Sequence, residues 1–144
     1  MKQQDFSNHT RVVPAFHMVA LPILGLNLVD QIYRIVNLGF SFDTLVSLLL
    51  AIALIIVALY ARLFALTVQD RVIRLEMRLR LEQVLPADLK PRIPQFTVNQ
   101  LVALRFASDA ELPDLVRRVL DEKMNNRKSI KQLIKTWKAD YLRA

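Results

Sequence analysis

The sequence predicts an all-α protein: a two-helix transmembrane hairpin whose second helix extends into a small cytoplasmic helical domain. Two observations carry this. Leu45 to Val68 is a 24-residue stretch in which Arg62 is the sole charged side chain, and roughly 20 apolar residues in helical form cross a bilayer core. Basic residues are segregated as well, since only Lys2, Arg11 and Arg34 of the 20 Lys and Arg precede Leu45. The chain divides accordingly into an N-terminal cytoplasmic segment (1–11), the hairpin (12–68) and a basic α-helical domain (69–144).

The first membrane helix is expected over about 12–36. It is less apolar than the second, carrying His17, Asn27, Asp30, Gln31 and Arg34, with Pro22 and Gly25 near its middle. Lys2 and Arg11 resemble a signal-peptide n-region, but the apolar run is followed by Asn27-Leu28-Val29-Asp30-Gln31 rather than a small-x-small cleavage site, so a retained signal anchor is predicted. Pro22 cannot donate to the Met18 carbonyl, which predicts a kink. Asn27, Asp30 and Arg34 share one helical face, and their spacing allows an Asp30–Arg34 pair one turn apart. This intramembrane polar face fits an ion pair at the outer interface beside a helix–helix hydrogen bond from Asn27. A proton or ion relay including His17 is the sharper alternative.

The connector over 37–43 is short, so the helices should pack as an antiparallel hairpin. It contains no Lys or Arg, whereas Lys2, Arg11, Arg71, Arg74, Arg78 and Arg80 flank the other ends. The positive-inside rule then puts both termini in the cytoplasm, with Arg62 snorkelling at the inner headgroups. The second helix, about 44–68, carries Ser47, Ala51, Ala58, Ala61 and Ala65 within about 80° of arc. Small residues allow close backbone approach, with the first helix as expected partner and a second copy as alternative.

From Gln69 to Leu85 the second helix should continue. Residues 74–82 alternate polar and apolar, but their types are helix formers without β-branching. Asp70–Arg74 and Glu76–Arg80 fit i, i+4 pairs. Such a helix has two apolar stripes and needs partners on both sides. Pro86, Pro91 and Pro94 mark a loop. Thr97 with Gln100 predicts a capped helix to about Ala107, and Ser108 with Glu111 a second capping box before an apolar stripe from Leu112 to Leu120, broken at Asn125-Asn126.

A last helix is predicted over Lys128–Leu142, with Arg127, Lys128, Lys131, Lys135 and Lys138 on one arc and Ile130, Leu133, Ile134, Trp137 and Tyr141 on another. A basic face beside a Trp-bearing apolar face suits an anionic membrane surface, and packing on the domain is the equal alternative. Arg71, Arg74 and Arg78 join the Lys face as candidate lipid-facing bases. The net charge of +7 suggests an anionic partner, with membrane lipid favoured. Nucleic acid is disfavoured, because the basic face lacks the Arg, Asn or Gln cluster of base readout.

Catalysis finds little support. The chain has no Cys, only Gly25 and Gly39, and five Ser outside any nucleophile-elbow context. No metal, cofactor or enzymatic activity is predicted.

The stretches Phe6 to His17, Ala61 to Arg80, Leu101 to Arg118 and Ile134 to Arg143 together resemble an uncharacterised bacterial family of small two-pass membrane proteins, a domain of unknown function. The resemblance spans nearly the whole chain and implies a bacterial cytoplasmic membrane without supplying an activity. It draws attention to Asn8, His9, Arg11 and His17 at the base of the first helix, and to Arg62, Gln69, Asp70 and Arg71 on the second. These are candidates for a polar latch tying the hairpin base to the domain, or for a headgroup or small-anion site. A homo-oligomer or a protein partner is expected.

Overall fold

A computed structural model describes residues 5–6 and 12–140. They form a π-helical segment Ala15–Ala20, α1 (Leu21–Leu38), α2 (Phe42–Val84), a 3-10 segment Lys90–Gln95, α3 (Val98–Leu104), α4 (Leu112–Asp121) and α5 (Arg127–Gln132). Among the described residues there is no strand, only an isolated bridge between Ala107 and Trp137. The described residues form two compact units, 12–65 and 66–140, the second including 5–6.

In the first unit, the wide π-helical turns stand directly before Pro22, which occupies the first turn of α1. Pro22 has no N–H to give the turn before it, and that preceding stretch takes the wider π repeat. Gly39, with φ 88°, ends α1 in a conformation that a Cβ would strain. Ser41 and Thr44 then cap α2 reciprocally: the Ser41 N–H donates to Thr44 Oγ1 (2.9 Å) and the Thr44 N–H to Ser41 Oγ (3.2 Å).

The two arms of this hairpin line one cleft, with Leu24, Asn27 and Gln31 on α1 opposite Ser47 and Ala51 on α2. Ala51 is the small residue that is buried, and Ala58 is half-buried. Ser47, Ala61 and Ala65 are exposed, so the predicted small-residue stripe turns inward only in part. The inward row is instead Leu48, Ala51, Ile55, Ala58 and Arg62, alternating large with small at the three- and four-residue steps of one helix face. Ala15–Leu38 and Phe42–Val84 are each long and apolar enough to cross a membrane. Only 6% of each apolar window is buried, so neither is the core helix of a globular fold.

In the second unit, α2 continues without interruption to Val84, as its helix-forming residues predict. Ile73, Met77, Leu81 and Leu85 enter the core at four-residue spacing, joined by Leu101, Leu104, Phe106, Leu112, Val116, Val119 and Ile130. Thr97 opens α3 with the predicted capping box, its hydroxyl accepting from the Gln100 N–H and the Gln100 side chain from the Thr97 N–H. The buried Gln100 also donates through Nε2 to the Met124 carbonyl (2.8 Å), which satisfies its amide inside the core.

Three sequence expectations are corrected here. First, Glu111 does not complete a capping box with Ser108. Its Oε2 accepts from the N–H groups of Lys135 and Thr136 (3.2 Å each), a long-range use that local spacing does not reveal. Second, α4 ends at Asp121, before Asn125-Asn126. Lys123 takes φ 50°, and the Met124 N–H reaches the Val119 carbonyl (3.0 Å) and the Lys123 N–H that of Leu120 (3.2 Å), which is a Schellman ending. Asn126 instead opens α5, accepting from the N–H groups of Lys128 and Ser129.

Third, the helix predicted over Lys128–Leu142 stops at Gln132. Residues 135–138 find backbone partners outside any helix. Besides the two bonds to Glu111, the Thr136 carbonyl accepts from the Ser108 N–H (3.1 Å), and the Lys138 N–H donates to the Phe106 carbonyl (2.7 Å). Trp137 packs on Phe106 with ring centroids 5.0 Å apart, and Ile134 is buried. Ile130, Leu133, Ile134 and Trp137 pack in or against the core of their own unit, Tyr141 lies outside the described residues, and the continuous basic helical face does not form. Tertiary hydrogen bonds outweigh the helical period here.

Candidate functional site

Two features of the helical unit stand out. The first is a polar knot around Arg80. Its Nε donates to Asp109 Oδ1 (2.6 Å), Nη1 to the Arg105 carbonyl (3.1 Å) and Nη2 to the Ala107 carbonyl (2.6 Å). Lys138 Nζ lies 3.6 Å from the other Asp109 oxygen, and Arg105 Nε lies 3.1 Å from Asp140 Oδ2. The Arg80 hydrogen bond, opposed by partial burial and aided by the charges of Arg80 and Lys138, holds the Asp109 carboxyl below its ordinary range. Glu76, Met77, Arg80, Arg105, Lys138 and Asp140 border a cleft of about 450 Å³.

The charges in this knot are balanced. Arg80 and Lys138 are met by Asp109 and Arg105 by Asp140. Glu76 adds a carboxylate on the cleft rim that is unpaired among the described residues, so the formal charges of these six residues balance. The Arg80 donors are spent on two backbone carbonyls and one carboxylate. The arrangement therefore ties α2 to the 105–109 segment and, through Lys138, to the chain beyond α5. Sequence reasoning missed Arg80 as a tertiary anchor because its partners lie 25–29 residues away; an arginine among alternating apolar residues was the available signal.

The second feature is the α2 face opposite the core. Val68, Val72, Leu75 and Leu79 are 59%, 49%, 62% and 58% exposed. Their spacing of four, three and four keeps them on one helical face. This is the second apolar stripe that the sequence predicts, and no part of the described chain covers it.

The predicted site residues fall as follows. Asn8, His9 and Arg11 lie outside the described residues. His17 closes onto its own turn, with Nδ1 3.1 Å from the Val13 nitrogen and 3.0 Å from the Val13 carbonyl oxygen. Asp70 accepts from Arg127 Nη2 (2.9 Å), and Arg127 Nε donates to Asn99 Oδ1 (2.8 Å). Asp70 and Arg80 thus take long-range partners in place of the expected neighbours Arg74 and Glu76. Arg62 and Gln69 are half-buried and engaged, and Arg71 is exposed.

In the hairpin unit, Arg34 Nε donates to Asp30 Oδ2 (2.8 Å), the pair that the spacing allows. Asn27 lines the hairpin cleft rather than joining that pair. Of the candidate lipid-facing bases, Arg74 and Lys128 are exposed and Arg78 is half-buried. Lys131 sits 5.0 Å from the Phe106 ring centroid. Lys135 and Lys138 lie beyond α5, so these lysines do not share one helical face. Among the described residues, no group of three His, Asp or Glu could hold a metal ion.

The model of a family of unknown function, DUF6526, matches residues 1–144. The chain belongs to this family. No curated protein and no solved structure matches it. Family membership thus covers the hairpin and the helical unit together.

Proposed function

We propose that this chain is a non-catalytic, membrane-anchored interaction protein or accessory subunit, with its hairpin in a bacterial cytoplasmic membrane and its basic helical unit on the cytoplasmic side. One observation carries the reading. The apolar windows of both long helices are almost wholly uncovered, while the far end of α2 is built into a packed core. Lipid is the solvent that accepts such bare helices, and a folded unit at the end of one of them is suited to meeting a partner. The orientation rests on the Lys/Arg-free connector against the many bases after Val68.

The test uses the full chain, which offers a Cys-free background. Alkaline carbonate should leave it in the membrane pellet, and release to the supernatant would overturn the anchor. In intact cells a membrane-impermeant maleimide should label Phe40→Cys and spare Lys128→Cys. Labelling of Lys128→Cys overturns the orientation.

Anionic lipid is the second reading, favoured by the exposed Arg71 and Arg74 within two turns of the last apolar membrane residue. Full chain extracted in mild detergent should then carry anionic over zwitterionic lipid relative to the membrane, and less so as Arg71→Gln/Arg74→Gln. An unchanged ratio counts against lipid binding by these two side chains.

A further inference from the structure

We infer that the exposed α2 face of Val68, Val72, Leu75 and Leu79 is the seam of a parallel homodimer, with a second copy of this chain as its occupant. This inference rests on the membrane-anchored reading above, because a shared membrane is what forces the two copies to run parallel.

Lipid does not account for the whole stripe. At about 1.5 Å per residue, Leu75 and Leu79 lie about 10 and 16 Å along the helix past Val68, where the apolar stretch ends. Arg71, Arg74, Arg78 and Arg80 surround them in sequence, and such a density of charge belongs in water or headgroups rather than hydrocarbon. The opposite face is already used, because Ile73, Met77 and Leu81 are buried in the helical unit's own core. Val72, Leu75 and Leu79 form a contiguous exposed apolar row beyond the membrane stretch, the kind of surface that protein partners cover.

The flanking charges select which protein. In heptad terms Val68 and Leu75 are d positions and Val72 and Leu79 are a positions, which places Arg71 and Arg78 at g and Glu76 and Gln83 at e. In a parallel pair, each g residue faces the partner's e residue five places on. Arg71 of one copy then meets Glu76 of the other, twice by symmetry, and Arg78 meets Gln83. In an antiparallel pair g faces g, which sets Arg71 against Arg78. The surface is therefore self-complementary in the parallel sense and self-repelling in the other. Arg71 and Glu76 are both exposed, and neither makes an ion pair among the described residues. Two heptads are a short seam, and confinement of both copies to one membrane supplies the effective concentration that so short a seam needs.

The test is oxidative cross-linking of full-length single-Cys variants in native membranes. Leu75→Cys, at the centre of the seam, should form a disulfide-linked dimer at least about tenfold more than Arg74→Cys, because two Cα atoms must come within about 7 Å to be bridged. Adding Arg71→Glu to Leu75→Cys should reduce the dimer several-fold, and adding Glu76→Arg to that double variant should restore it. Equal cross-linking at positions 74 and 75, no dimer at 75, or loss without restoration overturns the homodimer. A Leu75→Cys adduct of a mass other than twice the chain also overturns it while leaving the membrane-anchored interaction reading intact. Failure of that reading appears separately, as release by carbonate.

Discussion

Arg80 and Asp109 join across 29 residues of chain, Nε to Oδ1, at 2.6 Å. The same guanidinium closes on the carbonyls of Arg105 and Ala107, so three hydrogen bonds fix the segment after α3 against α2. Arg80→Ala should destabilise the helical unit by about 3 kcal/mol, because it strands acceptors on a buried turn. Denaturant unfolding of the full chain in detergent, followed by the fluorescence of Trp137, the sole tryptophan, measures this. A loss below about 0.5 kcal/mol, within the range of an ordinary surface substitution, would show that the knot is incidental.

The acid side of the stability profile should depend on Asp109. Its carboxyl is held below the ordinary value of 3.8, first by the Arg80 hydrogen bond. A depressed folded pKa contributes stability that is present above the unfolded value and is lost as pH falls through the folded one. Asp109→Asn should therefore lower stability at neutral pH and flatten its decline below about pH 4. The carboxylate is more than half exposed, so solvent screening keeps the effect small. Parallel acid titrations of both proteins give the comparison.

Lys123 is a natural place to stabilise the protein. It holds φ 50° at the end of α4, a conformation that costs a residue with a Cβ roughly 1 kcal/mol. Lys123→Gly should raise stability by about that amount, visible as an upward shift of the unfolding midpoint. A downward shift would mean that the Lys123 side chain contributes more than its backbone costs.

Leu81 is fully buried on α2, among residues from the loop, α3 and α4. Leu81→Ala should cost about 2–5 kcal/mol through lost transfer energy and a residual cavity. Leu79→Ala, two residues away and 58% exposed, should leave unfolding of an isolated protomer within about 0.5 kcal/mol of the parent. Equal effects at the two positions would contradict the assignment of inner and outer faces.

Asp70 and Arg127 connect the start of the helical unit to α5, with side chains 28% and 41% exposed. Exposure of that order limits the pair to about 1 kcal/mol or less, so Asp70→Ala should be mild. A double-mutant cycle with Arg127→Ala reads the coupling. A coupling above about 2 kcal/mol would show a desolvated pair and a more important tie.

The helices were legible where a local pattern decides them. The long apolar run, the helix-forming residues from Gln69 to Leu85, and the Thr97–Gln100 capping box all act within a turn or a single helix. The Asp30–Arg34 pair was legible for the same reason. The C-terminal segment was not, because its periodicity is helical but its backbone partners, Glu111, Ser108 and Phe106, lie more than twenty residues upstream. The lysines that the pattern arranged on one face are consequently divided among Phe106, Asp109 and solvent.

The sequence by itself determined two helices long and apolar enough for a membrane, the segregation of basic charge beyond them, and a second apolar stripe on α2. Each follows from residue type and spacing along one helix, which need no distant contact. Tertiary structure decided which α2 stripe is buried and which is left bare, where the chain stops being helical after Gln132, and that Arg80 anchors rather than faces solvent. Those outcomes depend on which backbone and carboxylate groups, far apart in sequence, reach hydrogen-bonding distance once the core around Leu81, Phe106 and Val116 has closed.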